Sequence, residues 1–215
     1  MKYYVITVSD IEKSVLSAKK CIESAKNISN IDVEIFNAIT PRDNMSNIIK
    51  ENSIQIKSFD ERYSRKENAI ACFLSHFLLW KKCIELNEPV IIFEHDAVIK
   101  NIINLDIKFD KLISIGKPSY GRFNTPTSNG INKLTSKRYL PGAHAYIIAP
   151  SGAAELIKRA KLDAKPVDVF LHLDIFPWLQ EYYPWPVVVE DSFSTVQKVE
   201  GCIAKHNYNN KFEII

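Results

Sequence analysis

The chain has only four cysteines, Cys21, Cys72, Cys83 and Cys202, with no CxxC spacing and too few bridges' worth for a disulfide framework. Cys72 and Cys83 fall within one apolar helical pattern and read as reduced, buried thiols, which points to a cytoplasmic setting. Long hydrophobic runs are missing too. No continuous apolar stretch approaches the roughly 20 residues that a membrane-spanning helix needs, and the amino-terminal one turns polar at Ser9-Asp10, too early for a signal peptide. There is neither a GxxxxGK(S/T) loop nor a GxGxxG turn after the first strand pattern, which argues against kinase-like and dinucleotide-dependent enzymes. A net charge of +3 is too small to call for a nucleic-acid partner, though a local basic patch is compatible with it.

What is present is ordinary for a globular protein: 46% hydrophobic and 25% charged residues over 215 positions. A chain of this length buries roughly 70% of its extended surface, enough for one α/β domain spanning 1–215. No repeat or domain-splitting linker interrupts it.

The apolar periodicities define the expected elements. Tyr3 to Val8 is β-branched and apolar, a central strand. Residues 10–27 carry apolar positions at helical spacing behind Asp10 as a cap, and Val33 to Asn37 is a second strand, so the chain opens as a right-handed βαβ unit. Residues 40–66 are polar and read as loops and short helices. Ala69, Cys72, Phe73, His76, Phe77, Trp80 and Cys83 then mark one wide helical face, widened by Leu78 and Leu79, and Asn87-Glu88-Pro89 ends that helix. Val90 to Phe93, Leu112 to Ile115, Ala145 to Ala149 and Val187 to Val189 are further strands, and Pro150 starts a helix. The whole pattern predicts a Rossmann-like, mostly parallel sheet with helices on both faces. Residues 116–138 lack a period and are expected to be a flexible loop able to close over a ligand, and the tail from 201 is expected to be loosely held.

Glu94 and Asp96 carry the sharpest chemical signal. An apolar strand that ends in two carboxylates must pair, hydrate or coordinate them, and strand ends are where open α/β sheets place ligands. In an extended strand the two acids share one face, with His95 opposite. A divalent cation such as Mn²⁺ or Mg²⁺ would relieve their repulsion and bridge nucleotide phosphates. The plainer alternative is a backbone cap at Asp96 and an ion pair at Glu94. His76, beside Ser75 on the apolar helix face, is either a satisfied core residue or a ligand contact; Ser75 lacks the glycine elbow of a hydrolase nucleophile. Pro141-Gly142-Ala143-His144 is a turn of small residues that either admits a ligand close to the backbone or is simply tight. Asp168 and Asp174 are candidate general bases that spacing alone does not separate. The aromatic group Phe176-Pro177-Trp178 with Tyr182-Tyr183-Pro184-Trp185 is either a stacking platform or a core plug.

Three blocks taken in order resemble one known family. Glu67-Asn68-Ala69-Ile70-Ala71-Cys72-Phe73-Leu74-Ser75-His76 with Leu79-Trp80, then Val90 to Asp96, then Gly142 to Ile148, are similar to the glycosyltransferases that act as lipopolysaccharide-core and collagen galactosyltransferases. Pro166-Val167-Asp168 and the segment from Asp191 to Gln197 resemble later family blocks. The resemblance implies a GT-A-like fold, a nucleotide-sugar donor (a UDP-hexose), a glycan or other hydroxyl acceptor, and inverting transfer of a hexose. It implies Mn²⁺ or Mg²⁺ held by Asp96 with Glu94. It also sets Ser75, His76 and Glu94 in the site, and Gly142, His144 and Tyr146 near the donor or acceptor sugar. The nucleotide is expected over the end of the first strand, at Thr7 and Val8. A later carboxylate is expected as the base, Asp191 ahead of Asp168 and Asp174 because it ends an apolar strand as Asp96 does. The chain departs from the family in three places, the first being Asn68 and Ala71, where the family usually carries glycines. His95 stands where a middle carboxylate is usual, and Ser9 to Lys13 contains no arginine to meet the nucleotide. Two other classes therefore stay open: a catalytically silent sugar- or partner-binding domain, and a transferase acting on modified nucleic acid through Lys133, Lys137 and Arg138.

Overall fold

Tyr4, Ile92, Tyr146 and Ile148 turn to one side of a central sheet, while Val5, Ile91, Phe93, Ala145 and Ile147 turn to the other. That two-residue alternation along strands apolar on both faces is why the sequence shows continuous hydrophobic runs rather than a polar stripe. The computed structural model describes residues 1–61, 64–190, 192–197 and 212–215. Its elements are β1 (Lys2–Thr7), α1 (Glu12–Ser29), β2 (Glu34–Asn37), α2 (Met45–Glu51), α3 (Lys66–Leu86), β3 (Val90–Glu94), β4 (Ala97–Ile99) and β5 (Leu112–Ser114). There follow β6 (Gly130–Lys133), β7 (Ala145–Ile148), α4 (Pro150–Ala160), α5 (Val167–Phe170), β8 (Gln180–Tyr183), β9 (Val187–Val189), β10 (Phe193–Ser194) and β11 (Glu213–Ile214).

The main sheet has the order β2-β1-β3-β7-β5-β8-β6. β2, β1, β3, β5 and β8 run one way, and β7 and β6 run against them. The opening β1-α1-β2 unit is parallel, as expected from the sequence. One face is covered by α1, whose Ala18, Cys21 and Ala25 are fully buried against Val5, Ile91 and Phe93. The other is covered by α3, with α4 and α5, where Phe73 meets Trp80 edge-on at 5.6 Å and Phe170 at 5.2 Å between ring centroids. Full burial of each such ring contributes ~1.5–3 kcal/mol, so α3 anchors the half of the molecule that carries the site.

Several expectations are corrected. Asp10 does not cap α1. The cap position is Ile11 without a side-chain bond, the Ser14 hydroxyl instead accepts the Val8 N–H at 2.9 Å, and Asp10 pairs with Arg42. Residues 116–138 are not loop throughout: β6 pairs with β8 at the edge of the sheet. The end of this segment is fastened by the buried Glu181 carboxylate, which accepts the N–H groups of Thr135 (2.6 Å) and Ser136 (2.7 Å). Part of the aromatic group is a strand, β8, which joins β5 to β6. Of the tail, residues 201–211 lie outside the described residues, while β11 pairs in parallel with β10.

Candidate functional site

A cleft of about 340 Å³ opens over the carboxyl ends of β1, β2 and β3, within the size range of small-molecule sites. Parallel neighbouring strands leave such a crevice because the connections that follow them diverge. Val8, Asp10 and Ile11 line it from the end of β1, Ala38 to Arg42 from the end of β2, and Glu94 and His95 from the end of β3. Arg65, Asn68, Cys72 and Ser75 form the α3 wall, closed by Thr195, Val196 and Ile215. Asn68 ties that lid of chain to the helix by donating to the Thr195 carbonyl at 2.8 Å.

Glu94 is the carboxylate at the floor of the cleft. Its Oε1 lies 3.0 Å from His76 Nε2 and 3.9 Å from Cys72 Sγ. His76 is fully buried, and its Nδ1 lies 2.8 Å from the Tyr146 hydroxyl, which also accepts the Trp80 indole N–H at 2.9 Å. Burial pushes the His76 imidazolium pKa down to about 3, which favours a neutral ring beside Glu94. Desolvation, reinforced by the charge of Glu94, holds the Cys72 thiol well above its ordinary pKa.

His95 and Asp96 form the turn between β3 and β4, so the strand's alternation stops at Glu94 and the two acids do not continue along one pleated face. His95 lies flat on Phe193, with centroids 5.0 Å apart and planes 3° from parallel, and burial lowers its pKa to about 4. Asp96 is half-buried. Its charge contributes to raising the pKa of Cys21 on the α1 side, and its carbonyl accepts the Glu190 N–H at 2.9 Å. It is not part of the cleft lining.

Of the residues the sequence pointed to, the cleft thus gathers Val8, Ser75 and Glu94. Thr7 is fully buried and turns its hydroxyl back to the Val5 carbonyl. Ser75 accepts the Ile39 N–H at 2.8 Å and donates to the Ala71 carbonyl at 2.9 Å, so it fastens the strand-end segment that forms one wall. His76 stands behind Glu94 rather than in the cleft. His144 lines a separate, water-sized cavity of about 10 Å³ beside Gly116, with no hydrogen-bond partner for either ring nitrogen among the described residues, while Gly142 takes the left-handed turn (φ 81°) that precedes it.

Asp191 lies outside the described residues. Asp174 is exposed and bound to Arg138. Asp168 accepts the Tyr120 hydroxyl and is not part of the cleft lining, though its charge is one of those that raise the Cys72 thiol. For the basic loop, Lys137 donates to the Tyr120 carbonyl at 2.9 Å, so Lys137 and Arg138 are both committed to protein partners. None of Trp178, Tyr182, Tyr183 and Trp185 lines the cleft.

Two arginines were not singled out from the sequence. Arg42 reaches Asp10, and Arg65 donates through Nη2 to the Ile215 carbonyl at 2.6 Å, with its Nε buried and without a partner among the described residues. Arg42, from beyond β2, thus stands beside the Ser9 to Lys13 segment that itself contains no arginine. Only the β1–β2 pairing makes those segments neighbours, so no local motif could have shown it.

Among the described residues, the group with metal-competent donors is Cys72, His76 and Glu94, whose ligand atoms lie within 4.8 Å of one another. A thiol held protonated and a buried imidazole already in contact with Glu94 are poor ligands for a cation that prefers oxygen, so only Glu94 fits Mn²⁺ or Mg²⁺ there. Such ions are commonly held by one or two carboxylates together with substrate phosphates and water. The fit is that of a shared site, completed by a ligand.

The cleft and its carboxylate define a ligand-binding α/β domain, and sequence comparison gives it a family. Residues 4–114 match the profile of glycosyltransferase family 25 (LPS biosynthesis protein), and the chain belongs to that family. It is 28% identical over 202 residues to a Haemophilus influenzae protein (strain ATCC 51907 / DSM 11121 / KW20 / Rd) named provisionally as a glycosyltransferase, covering 86% of this chain and 66% of that protein. It is 24% identical over 175 residues to the lipooligosaccharide biosynthesis protein lic2B of Haemophilus influenzae, covering 71% of this chain and 61% of that one. The chain thus spans less than two thirds of the length of these relatives. A distant likeness also links it to the glycosyltransferase GlyE of Streptococcus pneumoniae TIGR4, with 11% identity, a TM-score of 0.43, and coverage of 85% of this chain and 45% of that one. No helix among the described residues is long and apolar enough to cross a membrane.

Proposed function

We propose that this chain transfers a hexose from a nucleoside-diphosphate sugar, a UDP-hexose, to a hydroxyl of a glycan, with inversion at the anomeric carbon. The observation that carries this reading is the Glu94 carboxylate, held from behind by His76 at the end of β3, in a cleft that also carries Arg42 and Arg65. An acid beside two guanidinium groups suits a diphosphate that arrives with a divalent cation: the arginines meet phosphate oxygens, and Glu94 serves the cation. Mn²⁺ or Mg²⁺, when bound, would neutralise charge developing on the leaving diphosphate.

The name of the lipooligosaccharide relative makes an outer-surface saccharide the favoured acceptor class. Among the described residues Asp168 is the preferred base, since it is the late carboxylate whose field reaches the cleft. In that role it takes the acceptor hydroxyl proton as the oxygen attacks the anomeric carbon and the nucleoside diphosphate leaves. Asp96 supplies a second carboxylate at the same strand end.

A donor-hydrolysis screen across UDP, GDP, CMP and TDP sugars with added Mn²⁺ tests this reading. Turnover of a UDP-hexose that is lost in Glu94→Gln is the expected result. A folded protein that turns over none of them would instead favour a silent sugar-binding domain.

A further inference from the structure

We infer that Tyr146 and His76 are positioning residues: a buried hydrogen-bond chain from Trp80 through Tyr146 and His76 fixes the proton on His76 Nε2 and aims the Glu94 carboxylate into the cleft. The inference rests on the reading of Glu94 as the cleft's working acid.

It follows from accounting for hydrogens. The Trp80 indole nitrogen only donates, so at 2.9 Å the Tyr146 oxygen must be its acceptor. The Tyr146 hydroxyl hydrogen then remains to be placed. His76 Nδ1, 2.8 Å away, is the acceptor within reach, beside a ring that lies near-parallel to the tyrosine (16°). A neutral imidazole with an accepting Nδ1 carries its hydrogen on Nε2, which faces Glu94 Oε1 at 3.0 Å. The opposite tautomer would leave the tyrosine hydrogen without an acceptor among the described residues and set two lone pairs, Nε2 and Oε1, against each other. Trp80, Tyr146 and His76 are all fully buried, so each misplaced hydrogen would go uncompensated by solvent. Three elements meet in the chain: α3 supplies Trp80 and His76 one helical turn apart, β7 supplies Tyr146 and β3 supplies Glu94. Rigid elements of this kind hold an acid more tightly than a loop does.

The test is the ¹⁵N histidine spectrum of the metal-free protein at neutral pH, paired with transferase kinetics. In the wild type His76 should show the pure Nε2–H tautomer, and Trp80→Phe should keep it, since the Tyr146 hydroxyl still donates to Nδ1. Tyr146→Phe should mix the tautomers and lower kcat about tenfold, the scale of losses seen when a group orienting a metal ligand is removed, while donor KM stays within about twofold. An Nδ1–H tautomer or an imidazolium in the wild type would overturn the inference, as would a Tyr146→Phe variant that keeps both tautomer and kcat. The wild-type spectrum decides the tautomer even where Tyr146→Phe fails to fold. Undiminished activity in Glu94→Gln would sink the proposed function and leave the tautomer result readable by itself.

Discussion

The Ser75 hydroxyl accepts the Ile39 N–H across 2.8 Å and thereby joins the longest helix to the chain leaving β2, at the wall of the cleft. Removing it in Ser75→Ala leaves that amide without its acceptor, a cost of ~1–3 kcal/mol. Hydrogen exchange at Ile39 should speed up by one to two orders of magnitude, roughly in line with that cost, and donor affinity should fall with it. An Ile39 amide as protected as in the wild type would show that other contacts hold the wall.

Three histidines should make the fold acid-sensitive. Burial lowers His76 to about 3 and His95 and His144 to about 4, each from an ordinary value of 6.5. Between those folded values and 6.5 the unfolded chain binds more protons than the folded one, so stability rises with pH through that window and is lost as pH falls from 6.5 towards 4. Thermal melts in metal-free buffer should show Tm dropping steadily below pH 6.5. A flat Tm from pH 7 to 5 would mean the three rings are charged or exposed in the folded protein.

Cys72 lines the cleft yet should be a poor nucleophile, because burial and the Glu94 charge hold it as a thiol. Iodoacetamide labelling at pH 7.5, read residue by residue by mass spectrometry, should proceed far more slowly at Cys72 than on glutathione. Glu94→Gln, which removes a negative neighbour, should raise its rate. Fast labelling of the wild type would contradict a thiol held protonated at the cleft wall.

Glu181 offers a check on the loop. Its carboxylate accepts from Thr135 and Ser136 backbone groups and lies 3.3 Å from the Trp185 indole nitrogen. Glu181→Gln replaces charge-assisted bonds worth roughly 1.5–3 kcal/mol each with weaker ones. Exchange at Thr135 and Ser136 should accelerate while the β1 and β3 amides stay protected. Uniform loss of protection would instead make Glu181 a support of the whole sheet.

Much of the architecture was legible in the sequence because its cause is local. Continuous apolar runs at Val90 to Phe93 and Ala145 to Ala149, and the wide helical face from Ala69 to Cys83, needed no tertiary information. β6 escaped because a short edge strand with Asn132 and Lys133 has no buried face to leave a pattern, and β8 because its Gln180 and Glu181 break an aromatic run. The site was legible down to Glu94. The pairing of Arg42 with Asp10, the bend at His95-Asp96 and the placement of His76 behind Glu94 rather than beside the ligand all arise from contacts between distant segments. Residue spacing cannot encode which nitrogen of a buried ring carries the proton.

The proposed role of Glu94, anchoring a diphosphate-bearing donor through a divalent cation, is open to calorimetry. Calorimetric titration of UDP into the protein, with and without Mn²⁺, tests it most directly when run on the wild type and on Glu94→Gln. The wild type should bind UDP in a Mn²⁺-dependent way, and the variant at least tenfold more weakly, about 1.4 kcal/mol. Equal affinity in both proteins, or binding indifferent to Mn²⁺, would contradict it.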